Sequence, residues 1–519
     1  MLTQLTDQDV SFLYAETAET PAHVGSLSLV ELPEGRRSEF FADYRATIAS
    51  RMALIPFMHS RLASIPLDLD RPFWIEDEHV DLDHHIRRAT APAPGRFRDL
   101  EALVAVLHAS PLDRSRPLWQ IYVIDGLASG HVALYVKVHH AAMDGASSQA
   151  LLATMYDPTP TPRTLPRPEA DGRNHRGDVA NLVHSLLAHR VQQAIRAVQY
   201  VPELLAALSH VVLPDPVTLR YRPFPRWLRG PTTPLNVGIT ARRVYAARTL
   251  PLPTIKRLAR LTGTKVNDVV LAICSGALRD HLEDQRALPA RPLIAMVPVS
   301  PRLPTELASA NHNSLFLCSL ASDVADPYER LLAIHESSVD QRRRLEVWNE
   351  LPLPDISVPG VSWIVRRLVE RYGRSRLAGR PPLLGNLTIS NIPGPTAPLY
   401  IAGAKVLSIY PCSIPFHGQA LNITVESYGD RLDVGLIACQ RAVPELAQLA
   451  DRLWVALAAL QDAVARRCPA PRTASPSVDC PERGRDHDAG SVAIAPPRAH
   501  PAAHTTSSTN GHRPAIRVL

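Results

Sequence analysis

A chain of 519 residues is too long for one ordinary core, so two domains of similar size with some less ordered sequence are expected. The 45% apolar content is that of a globular protein, and 48 prolines against 24 glycines point to long, stiff connectors rather than disorder throughout. Lys and Arg (56) exceed Asp and Glu (50) by six, and no basic run interleaved with aromatics suggests a nucleic-acid groove, so any preference is for anionic partners such as acidic lipids or a phosphorylated cofactor.

The opening MLTQLTDQDVSFLYAE has neither a basic n-region nor an apolar h-region, which argues against a secretory signal. No stretch reaches the ~18 consecutive apolar residues of a membrane span. The cysteines Cys274, Cys318, Cys412, Cys439, Cys468 and Cys480 are scattered without a C-x-x-C pair, which removes the main support for zinc-ribbon or redox chemistry. A reduced, cytoplasmic protein is expected.

Residues 1–158 mix strand-like runs, Val24 to Leu32, Trp119 to Leu127 and His131 to His140, with helical stretches such as FFADYRATIASRM. From Asp157 to Asp178 the chain is rich in Pro, charge and small polar residues without apolar periodicity, and reads as the start of a linker over 159–235. Within it, Val179, Leu182, Val183, Leu186, Leu187, Val191, Ile195 and Val198 follow helical spacing. That amphipathic helix either packs on a domain or rests its apolar face on lipid. A second α/β region covers 236–467. In it Lys265 to Leu282 reads as a helix starting at Asn267, with Asp268 in the first turn where a carboxylate suits the helix dipole. RPLIAMVPVS, NLTISNIPG, KVLSIYP and ALNITVESYG read as strands. Residues 468–519, Pro-rich and without Phe, Trp or Tyr, cannot bury enough apolar surface to offset their ordering entropy and read as a disordered tail.

The segment KVHHAAMDGAS, Lys137 to Ser147, concentrates the chemistry. Val132, Leu134, Val136 and Val138 alternate with Ala133, Tyr135 and Lys137, so a strand delivers His139 and His140. Adjacent side chains on an extended backbone point to opposite faces, so one histidine can meet a cleft while the other braces the turn. A neutral imidazole is basic enough to take a hydroxyl proton near neutral pH. A core pair beside an ordinary Asp-Gly turn is the bland alternative. Metal binding is disfavoured, because i, i+1 ligands diverge on a strand, and the second pair in DLDHHIRR (Asp81 to Arg88) has no zinc-like spacing either.

HHAAMDG matches an HHxxxDG signature, and with DVSFLYAE, PAHVGSLSL, PFMHSRL, RPFWIED, LDRSRPLWQIYVIDGL, TPLN, KVNDVVLAICSGALR, MVPVSPR, NLTISNIPGP, LYIAGAKVLSIYP and LNITVESYGDRLDVGL the chain resembles the bacterial wax ester synthase/diacylglycerol acyltransferases. The resemblance implies an α/β fold of two chloramphenicol-acetyltransferase-like domains joined by a long connector, with the site in a tunnel between them. It implies that His140 is the general base, His139 its support and Asp144 structural, with Gly145 keeping the turn tight. Asn267 and Asp268 would approach from the second domain, and Pro117, Leu118 and Trp119 would shape the first. The implied reaction moves a fatty acyl group from acyl-CoA, a co-substrate rather than a bound cofactor, to diacylglycerol. A long-chain fatty alcohol is the alternative acceptor, and a carrier-protein-dependent condensation enzyme or a non-catalytic lipid-binding protein are further alternatives. No metal and no nucleic acid are implied; a membrane or lipid-droplet surface is, which would make the protein peripheral on the inner membrane or lipid bodies. Cys412-Ser413 and Cys439 stand where the family carries a Gly-containing turn and an Asp, a difference that bears on substrate preference.

Overall fold

A computed structural model describes residues 3–63, 71–143, 151–166, 230–299, 314–349, 371, 373 and 385–467. Asp144, Gly145, the helix expected over Val179 to Val198, most of the linker and the tail lie outside the described residues. The first half runs β1 (Thr3–Gln4), α1 (Asp7–Ala15), β2 (His23–Glu31), α2 (Phe40–Arg51), β3 (Ser60–Ala63), β4 (Phe73–Glu76), α3 (Leu82–His85), β5 (Ile86–Thr90), α4 (Phe97–Ala109), β6 (Trp119–Asp125) and β7 (Val132–His139). The second runs β8 (Arg243–Pro251), α5 (Leu252–Thr262), α6 (Val266–Asp284), β9 (Ile294–Val299), β10 (Ser314–Ser319), α7 (Pro327–Asn349), β11 (Leu387–Ile392), β12 (Tyr400–Ile401), β13 (Ala404–Cys412), β14 (Leu421–Tyr428), β15 (Arg431–Cys439) and α8 (Leu446–Arg467).

Two six-stranded sheets organise these elements, in the orders β12-β13-β2-β7-β6-β5 and β10-β9-β11-β14-β15-β8, beside a small β1-β4-β3 sheet. The first sheet draws two strands from the second half of the chain, which the division at residue 236 did not anticipate. β13 runs antiparallel to β2, from Lys405 opposite Glu31 to Cys412 opposite Gly25. Without it β2 would be an open edge offering unpaired peptide groups. The expected linker also begins later than its composition suggests. Asp157 pairs its backbone with Tyr400, and its buried carboxylate meets Arg51 at 2.9 Å and Arg163 at 2.9 Å. Local composition cannot register such long-range anchors.

Alternation along β7 sends its valines into a core with Leu13, Tyr44, Ile48 and Trp119. The opposite face is equally dry. Ala133 and Tyr135 join Leu100 and Val104 of α4 and Tyr245, Ala247, Tyr410 and Ile437 from the second half in one continuous apolar cluster. Polar contacts reinforce this joint. Glu101 of α4 accepts from the Ala247 N–H at 2.8 Å and pairs with Arg248 at 2.8 Å, while Asp433 accepts from the Ile409 N–H at 2.8 Å. Where β15 crosses β13 the backbones touch, and a Cβ on Gly435 would overlap the Pro411 carbonyl. Among the described residues no helix is long and apolar enough to cross a membrane.

Candidate active site

The end of β7 is held from three directions. The His139 N–H donates to the Leu118 carbonyl at 2.9 Å, so Pro117-Leu118-Trp119 fixes where the strand stops. All three are buried, and Trp119 donates its indole N–H to the Met58 carbonyl (2.9 Å) and stacks on His85 at 4.3 Å. They brace the strand from within the core. His85 in turn donates Nδ1–H to the Trp119 carbonyl at 2.7 Å, which accounts for the second His-His pair structurally. Among the described residues no group of three His, Cys, Asp or Glu is placed to hold a metal ion.

Beyond His139 the chain makes a single 3-10 turn, His140–Ala142. His139 is fully buried, and its Nδ1 accepts from the Ala141 N–H at 3.1 Å. In the neutral ring the proton therefore sits on Nε2. That nitrogen faces Glu16 Oε1 at 3.7 Å, an electrostatic contact too long for a hydrogen bond. The same Oε1 accepts from the Ala22 N–H at 3.0 Å, and the Ala22 carbonyl accepts from the His140 N–H at 2.8 Å. Glu16 Oε2 takes two bonds from Arg114, at 2.9 and 2.6 Å. Burial opposes charge on Glu16, but His139, Arg114 and the Ala22 N–H outweigh it and hold the carboxyl at about 2. One carboxylate thus reaches the turn twice, through the Ala22 peptide and through the His139 ring.

His140 opens this turn. Its ring stacks on Phe12 of α1, centroids 3.8 Å apart and planes inclined by 13°. Among the described residues its buried Nδ1 has no hydrogen-bond partner. Burial pushes its pKa down to about 4, while its own peptide carbonyl pulls upward without meeting hydrogen-bond geometry. The ring is therefore neutral at physiological pH.

Behind His139 lies a dry polar layer. His23, opposite His139 across the β2–β7 ladder, donates Nε2–H to the His108 carbonyl at 2.7 Å. His108 Nε2–H donates to the Ser413 carbonyl at 3.0 Å, leaving Nδ1 to accept from the Tyr135 hydroxyl at 2.6 Å. Lys137, fully buried, caps the end of α4 by donating to the Leu107 and Ser110 carbonyls at 3.1 and 2.7 Å. Burial takes His108 down to about 3 and Lys137 to about 7.

Asn267 and Asp268 form a separate group at the start of α6. Asn267 Oδ1 accepts from Asn391 at the end of β11, at 3.2 Å. Asp268 is wholly committed to structure: Oδ2 accepts from the Lys265 N–H (3.0 Å) and from His335 Nδ1 (2.6 Å), and Oδ1 from the Ser338 hydroxyl (2.8 Å). It ties α6 to α7, whereas Asn267 stays only half-buried. Among the described residues no hydrogen bond links this group to His139 or His140. Cys412 and Cys439 are core residues, with Cys439 Sγ accepting from the Thr240 N–H at 3.4 Å. Glu16, Phe12, Ala22 and Arg114 are the site residues that the sequence did not single out, although the blocks DVSFLYAE, PAHVGSLSL and LDRSRPLW contain them.

Residues 5–270 match the wax ester synthase/diacylglycerol acyltransferase catalytic domain, and residues 309–461 the C-terminal domain of the same family. A protein of Mycobacterium tuberculosis named probable diacylglycerol O-acyltransferase tgs2 is 36% identical over 470 residues, covering 88% of this chain and 98% of that protein. The wax ester synthase/diacylglycerol acyltransferase from Marinobacter aquaeolei VT8 superposes with a TM-score of 0.63 at 33% identity, over 89% of this chain and 100% of that one. The starter condensation domain of rhizomide synthetase, at 12% identity and a TM-score of 0.51 over 89% and 95% of the two chains, shares the fold alone. The chain belongs to the wax ester synthase/diacylglycerol acyltransferase family, acyltransferases with a two-domain, chloramphenicol-acetyltransferase-like α/β fold.

Proposed function

We propose that this protein transfers a fatty acyl group from acyl-CoA to the free hydroxyl of diacylglycerol, giving triacylglycerol. The observation that carries the reading is a neutral, half-buried His140 with a ring nitrogen left unpaired among the described residues, on a turn clamped by Glu16 and Leu118. His140 takes the proton as the acceptor oxygen attacks the thioester carbonyl; the C–O bond forms, the C–S bond breaks, and His140 returns the proton to the departing CoA thiolate. No acyl-enzyme is needed. The developing oxyanion requires a hydrogen-bond donor, and Asn267 is the candidate among the described residues. The acceptor reading follows the mycobacterial relative, named for diacylglycerol; the Marinobacter relative is named for both acceptors, so a long-chain fatty alcohol is the second reading. Because the acceptors are lipids, the protein works at a membrane or lipid-droplet surface from the cytoplasmic side.

The test is product analysis by thin-layer chromatography with purified protein, one labelled acyl-CoA, and diacylglycerol and hexadecanol in competition. Labelled triacylglycerol predominates if the reading is right, and label only in wax ester would move the assignment to the second one. His140→Ala abolishes both products; unchanged turnover by a folded variant removes His140 as the base.

A further inference from the structure

The cations of the second half are unevenly placed. No Asp or Glu occurs between Asp215 and Asp268, and within that interval α5 and the turn into α6 carry Lys256, Arg257, Arg260 and Lys265. All four are exposed, and none of their side-chain charges has a carboxylate partner among the described residues. Neighbouring arginines differ: Arg248 is taken by Glu101 and Asp451, and Arg279 by Glu283 and the Ser322 carbonyl.

Helix geometry gathers the four. α5 buries Leu252, Ile255, Leu258 and Ala259, so Lys256, Arg257 and Arg260 share its outer face. Gly263, left-handed at φ 67°, ends the helix at once, a hydroxyl bond of 2.9 Å between Thr262 and Thr264 tightens the turn, and Lys265 caps α6 two residues before Asn267. Like charges one turn apart destabilise the helix that carries them. An uncompensated group of this kind is the pattern of a surface that meets an anion.

We infer that this patch binds the phosphorylated nucleotide end of the acyl-CoA donor, so that the thioester enters from the Asn267 side. The inference rests on the proposed acyl-CoA-dependent reaction and adds a location to it. Of the two substrates only the donor can use these charges, since its diphosphate and 3′-phosphate are anionic while diacylglycerol and fatty alcohols are neutral. A membrane is the weaker occupant, because the apolar face of α5 is already buried and Leu261 alone stands out from it at 49% exposure.

The test compares wild type with K256Q/R257Q/R260Q/K265Q and with the charge-retaining K256R/K265R, each checked for folding by circular dichroism. The quadruple variant lowers the ratio of kcat/KM for palmitoyl-CoA over that for S-palmitoyl-N-acetylcysteamine by about tenfold, the effect of a few screened ion pairs, and the charge-retaining variant keeps the ratio. Calorimetry with free CoA and 3′-dephospho-CoA needs no turnover: the quadruple variant weakens CoA by a similar factor and erases its advantage over the dephospho form. An unchanged ratio together with unchanged CoA affinity overturns the inference, including where the variant instead loses binding to phosphatidylglycerol-containing vesicles. Wild-type protein that binds CoA through the patch yet acylates no alcohol would sink the proposed reaction and leave the patch standing.

Discussion

Replacing Glu16 with Gln removes one charge from beneath the His139-His140 turn and leaves the size of the side chain unchanged. Its carboxyl titrates at about 2 instead of the ordinary 4.5, a difference of 4.5 − 2 = 2.5 units despite the opposing effect of burial. At 1.36 kcal/mol per unit that is about 3 kcal/mol of folding stability at neutral pH. Arg114 is 39% exposed, so solvent screening brings the figure nearer to about 2 kcal/mol. The sign follows from the depressed value: the contribution is complete above pH 4.5 and disappears as the pH falls through about 2, where wild type carries a neutral acid as the variant does. Urea unfolding of both proteins from pH 7 downward measures the gap. It is largest at pH 7 and narrows below pH 4.5. Turnover changes as well, because the Ala22 peptide and the His139 ring both lean on this carboxylate. A displacement of the base of about 1 Å costs roughly 10²-fold in kcat. A variant with wild-type kcat, or a stability gap that ignores pH, refutes the clamp.

Two further outcomes follow from the same geometry. Because burial takes His140 to about 4, the acid limb of kcat/KM falls near pH 4 rather than at the 6.5 of free imidazole, and a limb at 6.5 in a pH–rate profile would contradict a neutral, desolvated base. Gly435→Ala drives a methyl group into the Pro411 carbonyl; the neighbour is backbone and cannot rotate away, so Tm drops by an amount corresponding to about 3 kcal/mol, and a thermal scan matching wild type would deny the close contact of β15 with β13.

Elements whose signal lies in local spacing could be read from the sequence. The alternation from Val132 to Val138 places the strand that ends at His139, and the apolar spacing after Lys265 places α6, which begins at Val266, one residue before the expected start. What the sequence hides is set by partners far away along the chain. That β13 completes the sheet of the first half depends on β2 having a free edge, which the residues of KVLSIYP do not encode. Lys137 looks like the polar member of an alternating strand, yet it is fully buried because the far face of β7 is covered by α4 and the second half, and two carbonyls at the end of α4 satisfy it. Asp268 reads correctly as a first-turn carboxylate, but only the fold reveals His335 and Ser338 on its oxygens. Glu16 was hardest to see, since an acidic residue just past a short amphipathic helix is ordinarily a solvated one.

The two adjacent histidines are kept in place by different physical means, and the difference decides which of them can act. His139 already accepts the Ala141 N–H on Nδ1 and turns its protonated Nε2 toward Glu16 at 3.7 Å, so its one basic lone pair is taken. A base fixed in that manner would have to break a hydrogen bond before it could accept a proton. His140 is oriented by stacking on Phe12 and by its own backbone N–H on Ala22, contacts that fix the plane of the ring without occupying Nδ1 among the described residues. Leaving a buried ring nitrogen unpaired costs about 1–3 kcal/mol, and that cost is relieved when a hydroxyl arrives. The rigidity comes from the first histidine and the vacancy from the second, so the turn between them has to be stiff, and Glu16, which reaches it through both the Ala22 peptide and the His139 ring, supplies that stiffness.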